Sequence, residues 1–404
     1  MENGPPPHPL EWRVDLSSAE GRFPSIRLDL AHRDKSTCYP QPSIPEEASI
    51  VHECESESQI PTVSRRSLLG TAALLGGAVG ATMLHAEPAH ARQPTRKGAQ
   101  LVLLGTAGGP PPFGNRTGIA SALVVNGNTY LIDCGRGAVT QYLRAGLTMP
   151  SLKAIFITHL HADHIVDYFS FPLLCAGVQP PQPGLGGMVD VYGPGPGGTP
   201  SGPITPEDPA PGLAETTRRA NETFAASSNA FITSRFGIDP TSMLRVHEQP
   251  ASPAAFTVME NDDLKVTATL VPHGNVRSYA YRFDTDAGSV TFSGDTALSE
   301  ALNRLAHRTD VLVHEAVDVS WFRAQGMGEP LIQHMTSVHV DVADIGKVGA
   351  ASDARKIVLS HLAPGDPTVR SHAAWARAAR AGARTAGYTG RVIPGHDLMR
   401  IPLG

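Results

Sequence analysis

Residues Thr158-His159-Leu160-His161-Ala162-Asp163-His164 set three imidazoles and a carboxylate directly behind the apolar run Lys153–Ile157. Residues two apart on an extended segment point to the same side, so His159 and His161 can reach one metal ion together. A turn into a helix then redirects Asp163 and His164 toward a second. Neutral imidazole and carboxylate suit zinc and comparable divalent ions. A lone histidine is more often a surface or satisfied core residue, but four ligand-type residues at this spacing behind a buried strand reverse that reading. A chain with this feature has to fold so that strand ends converge on a cation.

The rest of the composition is ordinary for a globular protein. The chain has 404 residues, 41% hydrophobic and 18% charged, with a formal net charge of -5. That balance shows no basic excess pointing to a nucleic-acid partner. Forty glycines and 35 prolines predict long loops. Residues 1–63 are rich in proline, serine and charge without a sustained period, and read as a disordered or misassigned extension, with translation starting near Val63. Residues 64–91 read as a twin-arginine signal: Arg65-Arg66, a weakly hydrophobic run to about Leu84, then Ala89-His90-Ala91 as a cleavage site. A transmembrane anchor fits less well, because the run is short and broken by Gly70, Gly76, Gly77 and Gly80. The expectation is a periplasmic or secreted domain over residues 92–404, with no stable membrane insertion after processing. Cys38 and Cys54 fall in the removed part, and Cys134 and Cys175 read as small buried hydrophobes.

Within that domain, strands are expected at Gln100–Gly105, Ile119–Val125, Thr129–Ile132, Ala154–Ile157 and Val189–Tyr192, with helices at Arg136–Ala145, Asp163–Leu174 and Gly212–Phe236. The second half repeats the scheme. Strands at Ala255–Met259, Leu264–Val271, Tyr279–Phe283 and Ser289–Phe292 precede alternating helices (Ala297–His307, Val342–Ala350, Ala373–Ala386) and strands (Val311–Val313, Lys356–Leu359, Arg391–Ile393). Two strand-rich halves, each turning helical, predict an α/β fold, a four-layered αββα sandwich.

Four more ligand-type residues follow apolar strands: Asp133 in Ile132-Asp133-Cys134-Gly135, His273 in Pro272-His273-Gly274, Asp295 in Ser293-Gly294-Asp295-Thr296 and His361 in Ser360-His361-Leu362. Singly, such an aspartate is usually a turn or cap residue; together they are not. The five motifs, in this order over Gln100 to Ile401, resemble the metallo-β-lactamase fold superfamily of metal-dependent hydrolases. The resemblance implies two divalent ions, zinc first with manganese or iron as substitutes. By it, His159, His161 and His273 hold one ion; Asp163, His164 and His361 hold the other; Asp295 bridges them; and Asp133 stands behind the ligands to orient them. Water activated by the metals would be the nucleophile, with Asp163 counted among the catalytic groups.

Two branches of the superfamily compete. Val313-His314-Glu315-Ala316 resembles a stretch of ribonuclease Z, the nuclease that trims transfer RNA precursors. That enzyme commonly carries a tRNA-gripping arm between the third-motif histidine and the bridging aspartate. Here the separation is 22 positions (295 minus 273), filled by two short strands and a turn. The exported arylsulfatase-like branch is similar at Leu104–Pro110, Asp133–Gly137, Ser360–Gly365 and Asp397–Arg400. The expectation is therefore a sulfate or phosphate ester hydrolase taking a small-molecule substrate, with no nucleic acid and with homodimerisation left open. Ribonuclease Z-type processing, another phosphodiesterase, and a non-catalytic metal-binding protein are the alternatives. By the family pattern His339, 22 positions before His361 (361 minus 339), protonates the leaving oxygen, with His334 as second candidate and Glu315 as orienting group. Pro110–Arg116 and Pro180–Pro211 would shape the mouth, with Arg116 or Arg277 as an added positive charge.

Overall fold

The structure, a computed structural model, describes residues 98–175, 184–197, 204, 207–233 and 239–404. The expected N-terminal extension at residues 1–63, the twin-arginine segment, and residues 180–183, 198–203 and 205–206 of the Pro180–Pro211 loop lie outside the described residues. The first half runs β1 (Ala99–Gly105), β2 (Ala120–Val125), β3 (Asn128–Ile132), α1 (Ala138–Arg144), β4 (Leu152–Phe156), α2 (Ala162–Ile165), α3 (Ser170–Cys175), β5 (Val189–Pro194), α4 (Leu213–Thr223), α5 (Ala225–Thr233) and β6 (Leu244–Gln249). The second runs β7 (Phe256–Glu260), β8 (Lys265–Val271), β9 (Ser278–Thr285), β10 (Gly288–Phe292), α6 (Glu300–Leu305), β11 (Val311–Val317), α7 (Val319–Ala324), α8 (Glu329–Val338), α9 (Ile345–Ser352), β12 (Lys356–Ala363), α10 (His372–Thr385), β13 (Arg391–Pro394) and β14 (Met399–Leu403).

Two seven-stranded sheets result, ordered β14-β1-β2-β3-β4-β5-β6 and β13-β12-β11-β10-β9-β8-β7. In each, an antiparallel portion meets a run of four parallel strands, β3 to β6 in one and β10 to β13 in the other. Strands buried on both faces read as continuous apolar runs rather than alternating ones, and β1 shows why. Leu101 and Leu103 pack between the sheets with Phe156, Tyr281, Phe283 and Val358. Val102 and Leu104 face the other way, toward Tyr142 and Phe171 beneath the first half's helices. On the far side Trp375, Ile345 and Leu302 cover Leu312 and Leu359. The layers are helix, sheet, sheet, helix, as the element order predicts.

Several boundaries differ from the sequence reading. The expected helix Asp163–Leu174 breaks after Ile165, because tertiary hydrogen bonds compete with the helical ones. Cys134 N donates to His164 O at 2.7 Å and Asp167 N donates to Cys134 O at 2.9 Å. Asp167 also accepts from Val139 N and Ser170 Oγ. Strands β6 and β14 and helices α7 and α8 are additions to that reading. Cys134 and Cys175 are buried free thiols, as expected of packing residues. No helix among the described residues is long and apolar enough to cross a membrane.

Candidate metal centre

The parallel strands of both sheets deliver their C-terminal ends to one place, where open α/β sheets characteristically bind ligands. Asp133 follows β3, His159 to His164 follow β4, Asp295 follows β10, Glu315 lies near the end of β11 and His361 near the end of β12. His273 arrives from the antiparallel strand β8. Tyr279 N donates to Thr158 O at 3.0 Å and Tyr281 Oη to Ile157 O at 3.1 Å, so the second sheet holds the first-motif loop directly.

Local backbone devices aim the side chains. Gly294 has φ +59°, and a Cβ there would stand 2.6 Å from Tyr279 O, so only glycine lets Asp295 approach. Its carbonyl accepts from Ser278 Oγ at 2.9 Å. On β12 the register slips, with Ser360 opposite Glu315 and Leu362 opposite Ala316. His361 is the extra residue, at φ +45°. Such bulges re-aim a side chain next to functional sites. Gly108 makes room for it: a Cβ there would meet His361 O at 2.6 Å.

His159, His161 and His273 present ligand atoms within 4.8 Å of one another, as do Asp163, His164 and His361, and also His159, His164 and Asp295. His159 Nε2 is 3.0 Å from His161 Nδ1, which is 3.3 Å from His273 Nε2. His361 Nε2 is 3.3 Å from Asp163 Oδ2, and His164 Nε2 is 3.7 Å from the same oxygen. Donors about 2.0–2.1 Å from a tetrahedral zinc sit roughly 3.3 Å apart, so both triads have the spacing a cation needs. Asp295 turns Oδ1 to His164 at 3.4 Å and Oδ2 to His361 at 3.3 Å and His159 at 3.8 Å, standing between the triads.

The outer hydrogen bonds leave the inward nitrogens free. His273 Nδ1 donates to Val338 O at 2.9 Å. Asp133 accepts from His164 Nδ1 at 2.9 Å and from Thr158 N and Oγ1. Thr158 Oγ1, already a donor to Asp133, can accept from His159 Nδ1 at 3.1 Å. His164 Nε2 and Asp295 Oδ1 face each other at 3.4 Å but neither makes a hydrogen bond although both are buried, a gap that a ligand shared between them would close.

The electrostatics agree. Burial pushes His159 well below the ordinary imidazole range, with His164 adding to the effect, and lowers His161 and His273 as well. Burial opposes the charge on Asp163, but His361 and His164 outweigh it and bring the carboxyl down to about 2. At His164 burial again opposes charge, yet Asp295 and Asp133 hold the imidazolium far above its usual value. The carboxylates that favour positive charge at His164 would likewise stabilise a bound cation, while the neutral His159, His161 and His273 are the form in which imidazole ligates a metal. The donor set of five imidazoles and two carboxylates fits divalent ions such as zinc.

Beside the triads, Glu315 is buried and fixed by Val340 N, which donates to Oε1 at 2.9 Å. Its Oε2 faces His339 Nδ1 at 3.4 Å. Burial works against protonation of His339; Glu315 and Asp295 override it and push the group up to about 9. His334 is exposed on α8 and lines the mouth without reaching the triads. Arg116 does not project there: it is buried and donates to Thr106 Oγ1 at 2.8 Å. Asp397, in the closing segment, accepts from Thr106 Oγ1 and Thr117 N and so ties two loops together. Sequence reasoning missed the roles of Thr158 and Val340. A hydroxyl residue directly before the first histidine was the available signal for Thr158; the Val340 amide carries none.

A family model described as Anti-Pycsar protein Apyc1 matches residues 100–168, from β1 through α2. Ribonuclease Z of Mycobacterium bovis (strain BCG / Pasteur 1173P2) is 26% identical over 308 residues, covering 75% of this chain and 97% of that protein. Among solved structures, the metallo-β-lactamase fold protein YhfI from Bacillus subtilis superposes with TM-score 0.52 at 16% identity, over 76% of this chain and all of that one. Human tRNase Z, short form, gives 0.51 at 19%, over 76% and 99%.

The fold is the metallo-β-lactamase fold of these structures, and the site carries the donor set of a metal-dependent hydrolase. The Mycobacterium bovis relative is similar to the chain under the name ribonuclease Z. The arylsulfatase-like reading has no counterpart among these relatives. The expectation of a small-molecule substrate and no nucleic acid is corrected, since the relative aligned over nearly its whole length is by name an RNA-cleaving enzyme. Net charge and a short His273–Asp295 segment misled because neither describes where positive groups lie on the folded surface.

Proposed function

We propose that the chain is a metal-dependent phosphodiesterase that hydrolyses an RNA phosphodiester, in the manner of the ribonuclease Z-like branch. One observation carries the reading. Two ligand triads from opposite halves of the chain meet at Asp295, with the Glu315–His339 pair beside them.

His159, His161 and His273 would hold one ion; Asp163, His164 and His361 the other; Asp295 both. Zinc is the ion this donor set favours, with manganese or iron as alternatives. Bound there, two such ions would bring the pKa of water to about 7 and draw charge from the phosphoryl oxygens. The protein's own groups do the rest. Asp133 and Thr158 fix the tautomers of His164 and His159. Glu315 faces His339 Nδ1 at 3.4 Å and favours its protonated form, so that Nε2 would give its proton to the departing ribose oxygen.

The test is metal analysis beside cleavage of a precursor tRNA and of short single-stranded RNAs. About two equivalents of metal with RNA cleavage support the reading; a metal-loaded chain that leaves every RNA intact overturns it. Export by the twin-arginine segment at residues 64–91 is proposed separately, on Arg65-Arg66 and Ala89-His90-Ala91. Fractionation of expressing cells with sequencing of the mature N-terminus checks it, and a chain recovered intact inside the cell refutes it.

A further inference from the structure

We infer that the surface beside His161 is a pocket for one unpaired nucleobase next to the bond that is cut; the inference rests on the nucleic-acid reading above. Two hollows meet at His161, Asn275 and Val276. The first, about 380 Å³, is the mouth over the triads, with His339 and His334 on its wall. The second, about 250 Å³, continues away from the triads. Its sides are Leu160 and Ile165 from the first-motif loop and α2, Val276 from the segment before β9, and Pro209–Pro211 ahead of α4.

Its shape and chemistry favour an occupant. Leu160, Ile165 and Val276 are only partly buried, so an apolar occupant of the hollow would remove further surface of theirs from water. Pockets for drug-sized ligands run from about 300 to 1,000 Å³; this one is smaller, suited to a single flat heterocycle. Its polar side chains include Asn275 and Arg277, beside Thr216 and His161. Arg277 has no ion pair or side-chain hydrogen bond among the described residues, whereas Arg219, Arg245 and Arg282 each hold a carboxylate. Its stem runs past Gly197, where a Cβ would come within 3.5 Å of Arg277 Cγ.

A nucleotide meets every one of these features. Its phosphate reaches the triads and its base faces lie against the aliphatic and proline walls. The base edge can pair with the Asn275 amide, and the Arg277 guanidinium offers a plane for stacking, the way unpaired bases are commonly held. A base still paired in a duplex keeps its edge and faces engaged with its partner and neighbours, so the pocket is suited to an unpaired nucleotide. An ester without a base would leave Asn275 and Arg277 unmatched.

Calorimetric titration of the metal-loaded chain with the four ribonucleoside 5′-monophosphates and with ribose 5-phosphate tests this without relying on turnover. At least one nucleotide is expected to bind ten times more tightly than ribose 5-phosphate. Ala210→Trp, which fills the hollow, should abolish that advantage while ribose 5-phosphate binds as before; Arg277→Ala should reduce it several-fold and covers the case in which the larger side chain disturbs folding. If no nucleotide exceeds ribose 5-phosphate by more than twofold, or if the advantage survives both variants, the pocket is wrong. A nucleotide advantage in a chain that cleaves no RNA keeps the pocket and removes the RNA reading. RNA cleavage with no advantage does the reverse.

Discussion

Asp295 is a buried carboxylate whose two oxygens look toward different histidine sets, and its backbone is pinned by Ser278 behind a glycine that admits no substitute. Removing the carboxylate strips a ligand from both triads and leaves several buried imidazoles facing one another. Asp295→Ala is therefore expected to abolish turnover and to lose at least one metal equivalent by elemental analysis; unchanged activity would refute the assignment. His339 acts differently. Its partner is Glu315 and its place is beside the triads, so His339→Ala should lower kcat by about 10²–10⁴-fold with metal content intact. His334→Ala, on the exposed face of α8, should cost far less in the same assay. At this scale the sequence was most informative: the seven ligand-type residues it singled out do come together. What it could not convey was support from groups without a signature, such as the Val340 amide on Glu315 and the Val338 carbonyl on His273.

Elements hold these residues at their ends. Thr158, between β4 and α2, spends its hydroxyl and amide on Asp133 and thereby locks the His164 tautomer. Outer contacts of this kind commonly affect metal affinity by about 10–100-fold, so Asp133→Asn should weaken metal binding by that order in a competition assay with a chromophoric chelator. Phe156, the last residue of β4, is fully buried. It stacks on Tyr192 at 5.1 Å and meets Tyr281 and Phe283 edge-on at 5.6 and 5.0 Å. Phe156→Ala should cost about 3–5 kcal/mol in denaturant unfolding. Elements dominated by apolar runs were legible in the sequence; those set by their surroundings were not. Strand β14 contains Pro402, which argues against a strand except at a sheet edge, and an edge is where it lies. Helix α8 is rich in residues of modest helix propensity, and its one clear signal, Pro330 in the first turn, is easily passed over.

At the scale of the molecule, the first half supplies His159, His161, Asp163 and His164, and the second supplies His273, Asp295 and His361. Metal binding would therefore tie the halves together, and ligands that bind only the folded chain stabilise it by mass action. At 100 times Kd this is worth about 2.7 kcal/mol. Chelation should lower the melting temperature and remove activity, and returning zinc should restore both; activity that persists after exhaustive metal removal would contradict a metal-dependent reaction. The αββα arrangement was readable from two strand-rich halves that each turn helical. The substrate was not, because a total of charges is blind to their placement, and the edge of a pocket is built from residues as far apart in sequence as Leu160 and Arg277.

Strand β14 pairs with β1, joining Leu403 to Ala99 and Met399 to Leu103 across most of the polypeptide. The ribosome makes the two partners about 300 residues apart (403 minus 99). Until residues 399–403 have been made, β1 keeps an open flank of unpaired backbone groups, the kind of edge that recruits other chains. A nascent polypeptide halted before residue 399 would carry that flank indefinitely, so incomplete translation products should cluster and precipitate where the finished chain stays dispersed.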